Sequence, residues 1–94
     1  DTTAGGPILE LHFEEATIAD TNAIGQILFT GSDASDSADN IGAQIVARAS
    51  GADWATADPH YCPTSLEFYT QNAHNDNNMG SPHMIIDENG NVGI

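Results

Sequence analysis

The chain has 94 residues, among them 14 acidic side chains and one basic side chain, Arg48, so that its formal net charge is −13. Binding to phosphates depends on Lys and Arg, and this composition therefore argues strongly against nucleic acid or an anionic membrane surface as a partner. No stretch approaches the roughly 20 apolar residues of a membrane-spanning helix, which argues against membrane insertion, and the lack of an initiating Met leads us to expect a segment excised from a longer polypeptide.

The first patterned segment, residues 8–14, alternates apolar and polar side chains with a period of two. Its apolar positions are Leu9, Leu11 and Phe13, and its polar positions are Glu10, His12 and Glu14. This alternation predicts a strand with one face against a core and the other in water. We treat residues 1–23 as an N-terminal strand segment and residues 24–94 as the β module that follows.

Residues 25–31 repeat the alternation between two glycines, with Ile27 and Phe29 predicted to face inward. The next segment, from Ile41 to Ala49, fits two structures. Its odd positions are apolar, as in a strand, but its isoleucines also have the i, i+4 spacing of a short helix. We favour the strand because Gly42 weakens a helix and the neighbouring segments are strands.

Residues 66–70 alternate again, and Leu66 and Phe68 are predicted to face inward while Glu67 and Tyr69 face water. The chain closes with MIIDENGNVGI, in which two apolar runs flank residues 87–91, with Gly90 at the expected turn. Gly takes positive φ at little cost, so this pattern predicts a β-hairpin.

The segments between these strands are polar and long for so small a chain, at residues 33–39, 50–63 and 71–82. Loops of this length are usually functional or are held by something outside the chain. The sequence therefore predicts a mainly β fold of short antiparallel strands and hairpins joined by long polar loops.

The order of the motifs resembles a segment found in bacteriophage tail fibres and tail spikes, where it often precedes a C-terminal intramolecular chaperone of the endosialidase type. The motifs are Gly25-x-Ile27-x-Phe29-x-Gly31-x-Asp33, Ile41-x-Ala43-x-Ile45, Ser65-Leu66-x-Phe68-x-Thr70 and Met84-x-Ile86-Asp87-x-x-Gly90-Asn91-Val92-Gly93-Ile94. The resemblance covers about residues 24–94.

The resemblance implies a parallel homotrimeric fibre module with interwoven strands, located in the virion tail fibre and joined to further fibre or chaperone segments of the same polypeptide. Its expected role is structural and receptor-binding, in attachment to a glycan or protein on the bacterial surface, with no catalysis and no cofactor. The alternatives are a depolymerase of surface polysaccharide, or its accessory domain, and a purely structural trimerisation module.

Aromatic and histidine side chains near the polar loops are the candidate receptor contacts, because aromatic faces surrounded by polar groups commonly bind sugars. They are Trp54, His60, Tyr61, Tyr69 and His74. Trp54 has a second interpretation, in which it fills the centre of the trimer.

Other constellations are weaker. Paired carboxylates could support glycoside cleavage; they are Glu14-Glu15, Asp33/Asp36/Asp39 and Asp87-Glu88. Histidines from three chains could bind a metal on a threefold axis, and Asp33, Asp36 and Asp39 could bind calcium. Neither the histidines nor the aspartates have the sequence spacing of a metal-ligand motif. We therefore expect solvated acidic loops and no metal site. We expect Cys62, the single cysteine, to be a buried apolar residue.

Overall fold

The computed structural model describes residues 5–32, 40–51, 54, 61–71 and 80–94. Five strands form one antiparallel sheet in chain order: β1 (Ala23–Gly31), β2 (Asn40–Ala49), β3 (Thr64–Thr70), β4 (Met84–Ile86) and β5 (Val92–Gly93). The predicted mainly β fold is therefore confirmed. No helix in the described ranges is long and apolar enough to cross a membrane.

The segment that fitted both a strand and a helix is a strand. It forms β2, which pairs with β1 on one side and with β3 on the other. A strand in this position satisfies its backbone groups on both edges, and Gly42 lies at an irregularity of the register, where the pairing passes from Phe29–Ala43 to Thr30–Ile41. The strand prediction for residues 41–49 is thus confirmed.

The strand predicted at residues 8–14 is wrong. These residues belong to an irregular stretch, residues 5–18, which we call the N-terminal arm and which contains no strand. Among the described residues, no backbone hydrogen bond joins the arm to another part of the chain. Alternation alone does not make a strand, because a strand requires a neighbouring backbone to complete its hydrogen bonds.

The predicted terminal hairpin is confirmed. β4 and β5 pair antiparallel, and the Asp87 N–H donates to the Asn91 carbonyl at 2.9 Å. The Asp87 carboxylate accepts the backbone N–H groups of Asn89 and Asn91, each at 2.9 Å. Gly90 has a φ of 83°, which is in the left-handed region. The turn therefore depends on a glycine and on an aspartate that satisfies its backbone donors.

We expect Gly90→Val to destabilise this turn by about 1 to 2 kcal/mol, since a side chain with a Cβ is strained at positive φ and a β-branched one is strained most. The control is Gly93→Val in β5, where no atom lies within 4 Å of the position that a Cβ would take and φ is not positive. Thermal melting followed by circular dichroism measures both variants. Equal melting temperatures for Gly90→Val and the unchanged chain would contradict the turn.

The two faces of the sheet have different compositions. The first, which we call the apolar face, is formed mainly by Ile27, Phe29, Ala43, Ile45, Ala47, Leu66, Phe68, Met84, Ile86 and Val92, with Thr64 and Thr70 as its polar members. The second, which we call the mixed face, includes Gln26, Leu28, Gln44, Val46, Arg48, Ser65, Glu67, Tyr69 and Ile85. The predicted alternation within β1 and β3 is confirmed by this register, because opposite partners in an antiparallel pair lie on the same face.

The prediction of which face is buried is wrong for the single chain. On the mixed face Val46 is fully buried and Tyr69 is only 8% exposed, although Tyr69 and Glu67 were expected to face water. On the apolar face Ile27 and Phe29 are exposed. Period-two alternation separates two sets of side chains, but it does not state which set another part of the chain covers.

Candidate functional site

The apolar face is a candidate interaction surface, because several of its large apolar side chains are exposed. Phe29 is 54% exposed, and Ile27, Leu66 and Val92 are exposed as well. The register places Leu66 and Val92 in one row with Ile86, and it places Ile27 in the next row with Ile45 and Phe68. The exposed apolar side chains therefore share one face of the sheet. Contiguous exposed apolar surface on a small chain marks a site of association. This face can therefore bind another apolar surface.

A shallow hollow of about 200 Å³ lies at the β1 end of this face. It is lined by Leu11 of the arm and by residues of β1, β2 and β3, including Ile27, Ile45 and Leu66. A Cβ on Gly25 would stand 3.2 Å from the Leu11 Cβ, so the missing side chain of Gly25 gives Leu11 room to approach the strand. The hollow shows where an apolar side chain can be received.

The mixed face contains a hydrogen-bonded group of three side chains. Arg48 Nε donates to Glu67 Oε1 at 3.0 Å, and the Tyr69 hydroxyl donates to the same oxygen at 2.6 Å. Arg48 Nη1 also donates to the Thr21 carbonyl at 3.0 Å. No buried side-chain nitrogen or oxygen in the described ranges lacks a partner. Burial of the Glu67 carboxylate is thus compensated by a cation and a phenol.

The electrostatics of this group follow from its burial and its partners. Burial, and next the hydrogen bond to Glu67, raise the pKa of the Tyr69 hydroxyl. Burial alone lowers the pKa of Arg48, but the hydrogen bond and the negative charge of Glu67 outweigh it, and the pKa is raised. Tyr69 is therefore neutral and Arg48 charged at neutral pH. These protonation states fit a structural role in holding β2 to β3.

Of the five predicted receptor residues, the structure describes three. Tyr61 is exposed, as the prediction requires. Trp54 is half-buried, and its indole N–H donates to the Pro63 carbonyl at 2.7 Å. The expectation that Tyr69 is exposed is wrong, because its hydroxyl is held by Glu67 inside the mixed face. No hydrogen bond among the described residues joins Trp54, Tyr61 and Tyr69. The two remaining predicted receptor residues, His60 and His74, lie outside the described residues.

The other candidate groups are the metal ligands, the carboxylate pairs and Cys62. In the ranges that the structure describes, no group of three or more His, Cys, Asp or Glu side chains could hold a metal ion. The Asp87 carboxylate is engaged by the terminal turn, and Glu88 accepts a hydrogen bond from Ser50 at 2.8 Å. Asp33, Asp36 and Asp39 lie outside the described residues. Cys62 is exposed, so the expectation of a buried thiol is wrong.

Sequence reasoning missed the Arg48–Glu67 ion pair. The signal for it was present, because Arg48 and Glu67 occupy the polar positions of two alternating strands. Only the register, which sets Val46 opposite Glu67, brings the two side chains within reach of each other.

Searches of protein-family models and of curated proteins give no match for this chain.

Proposed function

We propose that this chain is a structural module of a homotrimeric bacteriophage tail fibre and that it serves attachment to the bacterial surface without catalysing a reaction. The observation that carries the trimer is the exposed apolar face. A single chain leaves it in water, whereas association buries it, and each large apolar side chain that becomes fully buried contributes about 1.5 to 3 kcal/mol. The motif resemblance across residues 24–94 supports the fibre as the setting.

The net charge opposes association, because three copies at −13 each bring a formal charge of about −39 into one particle. Repulsion between exposed carboxylates is weak, on the order of 1 kcal/mol or less per close pair. Burial of an apolar surface that extends over five strands therefore outweighs it. Added salt screens the repulsion further and should stabilise the assembly.

We expect light scattering to give a mass of about 29 kDa, three times the 9.8 kDa of one chain, in a closed symmetric assembly. The particle should persist on dilution at physiological salt and melt at a higher temperature when salt is raised. The measurement is multi-angle light scattering across a dilution series at two salt concentrations. A folded species of 9.8 kDa under these conditions would contradict the fibre module.

The receptor-binding part of the proposal depends on the aromatic side chains near the polar loops. We expect Trp54→Ala to weaken adsorption to bacterial cells while the trimer persists, because it removes an aromatic surface. Trp54→Phe is the matched control, since it keeps an aromatic ring and loses the N–H that binds Pro63 together with part of the ring surface. Cell-binding assays and light scattering are run on both variants. Dissociation of the Trp54→Ala trimer would instead place Trp54 in the association surface.

The depolymerase alternative gives a different result in a separate assay. Incubation of the chain with capsular polysaccharide or lipopolysaccharide should release no new reducing ends if the module only binds. An increase of reducing ends with time would favour the enzyme. A trimer that binds no cells in a panel of strains would favour the purely structural trimerisation module.

A further inference from the structure

The terminal hairpin contains an asparagine that can change chemically without an enzyme. Asn89 precedes Gly90 in the turn, and both residues are exposed. An asparagine side chain loses ammonia when the backbone nitrogen of the next residue attacks its amide carbon. A side chain on that next residue hinders the attack, and Gly90 has none. Asn89 is the one asparagine of the sequence that glycine follows, so the reaction is least hindered there.

The folded turn opposes this reaction. The Gly90 N–H donates to the Asp87 carbonyl at 2.9 Å, so the nitrogen that must attack is already engaged in a hydrogen bond. The Asp87 carboxylate accepts the N–H groups of Asn89 and Asn91, each at 2.9 Å, and so fixes the backbone on both sides of the reacting bond. The reaction therefore requires the turn to open.

The strand pair that holds this turn is a weak part of the sheet. β5 has two residues, lies at the edge of the sheet and pairs with β4 through Ile85–Gly93 and Ile86–Val92. Its large apolar side chain, Val92, is 58% exposed, so separation of β5 from β4 uncovers little apolar surface. Segments with few buried contacts open locally while the rest of the fold persists. Such opening frees the Gly90 nitrogen.

We propose that Asn89 is a site of spontaneous deamidation that is controlled by opening of the terminal hairpin, with Asp87 as the positioning residue that keeps the turn closed. In the open turn the Gly90 nitrogen loses its proton to solvent base and bonds to the side-chain amide carbon of Asn89. The bond from that carbon to the amide nitrogen breaks, and ammonia leaves. Water then opens the cyclic imide at either carbonyl and leaves aspartate or isoaspartate. The net reaction consumes one water and releases one ammonia.

The isoaspartate product prevents the turn from closing again. Its backbone runs through the former side chain and is longer by one methylene group, so the Asp87 N–H no longer meets the Asn91 carbonyl. β5 then stays separated from β4, and β4 becomes an edge strand with unpaired backbone groups. This inference goes beyond the proposed attachment function and does not depend on it, because it concerns a turn within one chain.

The test compares the ageing of the whole chain at neutral pH in buffer and in concentrated urea. Samples are digested with pepsin at acidic pH, where the reaction is slow, and peptides are separated and identified by mass spectrometry. Asn91 is the internal control, since the β-branched Val92 follows it. In urea we expect Asn89 to convert several-fold faster than Asn91. In buffer we expect Asn89 to convert several-fold more slowly than in urea, because the hairpin is mostly closed.

Two variants test the role of Asp87. Asp87→Ala removes the side-chain acceptor of both N–H groups and should speed conversion of Asn89 several-fold in buffer, with no change in urea. Asp87→Asn is the matched control, since it keeps an oxygen acceptor while removing the charge, and it should react nearly as slowly as the unchanged chain. Circular dichroism checks that each variant retains the sheet.

Three results would overturn the inference. Equal rates for Asn89 in buffer and in urea would show that the hairpin gives no protection, and this comparison needs no variant. Conversion of Asn91 as fast as that of Asn89 in urea would refute the assignment of the site. Equal rates for folded Asp87→Ala and the unchanged chain in buffer would refute the positioning role of Asp87.

Discussion

Replacement of Phe29 by Glu is expected to convert the proposed trimer into folded monomers. In a single chain Phe29 is 54% exposed, so a charged side chain there costs the isolated fold little. In the proposed trimer the same position would be buried, so each variant chain would lose apolar burial and would also have to bury a carboxylate without a partner. We expect a loss of roughly 5 to 10 kcal/mol per trimer, which is enough to abolish association at micromolar concentration.

The chain offers a close control in Leu28→Glu. Leu28 is the next residue of β1, is exposed to a similar degree at 48%, and points to the mixed face. The two variants therefore change the same strand by the same charge on opposite sides of the sheet. Light scattering should give monomers for Phe29→Glu and trimers for Leu28→Glu. The reverse pattern would assign the association surface to the mixed face.

The second large effect is expected at the buried carboxylate of the mixed face. Glu67→Leu removes the acceptor of both Arg48 and Tyr69 and leaves a partly buried guanidinium without its carboxylate. Loss of one partner of a buried ion pair costs about 3 to 5 kcal/mol, and we expect about 3 here because Arg48 keeps some contact with water. Urea unfolding at a fixed chain concentration measures the change, since association also contributes to stability.

The double variant Arg48→Met/Glu67→Leu decides whether the cost comes from the unpaired charge. With both ionic groups replaced by apolar side chains of similar size, the free energy of unfolding should recover much of the loss caused by Glu67→Leu. Additive losses from the two single substitutions would contradict coupling between Arg48 and Glu67. Circular dichroism before unfolding confirms that each variant retains the sheet.

Tyr69 gives the same group a pH dependence. Its pKa is raised from the ordinary value of 10.0, first by burial and then by the hydrogen bond to Glu67, so the folded state holds the phenolic proton more tightly than the unfolded state. The resulting stability is fully present below about pH 10 and is lost as the pH rises through the raised pKa. Tyr69→Phe should therefore lose less stability than the unchanged chain above pH 10.

Local patterns in the sequence were sufficient for several elements. Gly90 and the neighbouring Asp and Asn residues predict the terminal hairpin because positive φ and turn hydrogen bonds are local requirements. Gly42 and the flanking strands favoured the strand over the helix in β2. The arm shows the limit of this reasoning, since Leu9 and Leu11 alternate as well as any strand residue but find no backbone partner in the described part of the chain.

The candidate site depended more on tertiary structure. The sequence separated Leu66 and Phe68 from Glu67 and Tyr69, but for the single chain it predicted that the wrong set would face water. The Arg48–Glu67–Tyr69 group requires the register of β2 on β3, which no local pattern contains. For Trp54 the sequence left two interpretations, receptor contact and packing. Its hydrogen bond to Pro63 depends on the tertiary structure, which brings the two residues together.

By itself the sequence determined the strongly acidic charge, the mainly β class, the terminal turn and the division of β1 and β3 into two faces. These properties depend on composition or on neighbouring residues, for which the physical constraints are local. The tertiary structure alone decided which face is covered, which carboxylate forms an ion pair with the single arginine, and which residues of the arm contact the sheet. Those outcomes depend on segments far apart in the chain, and burial is a property of their contacts rather than of either segment.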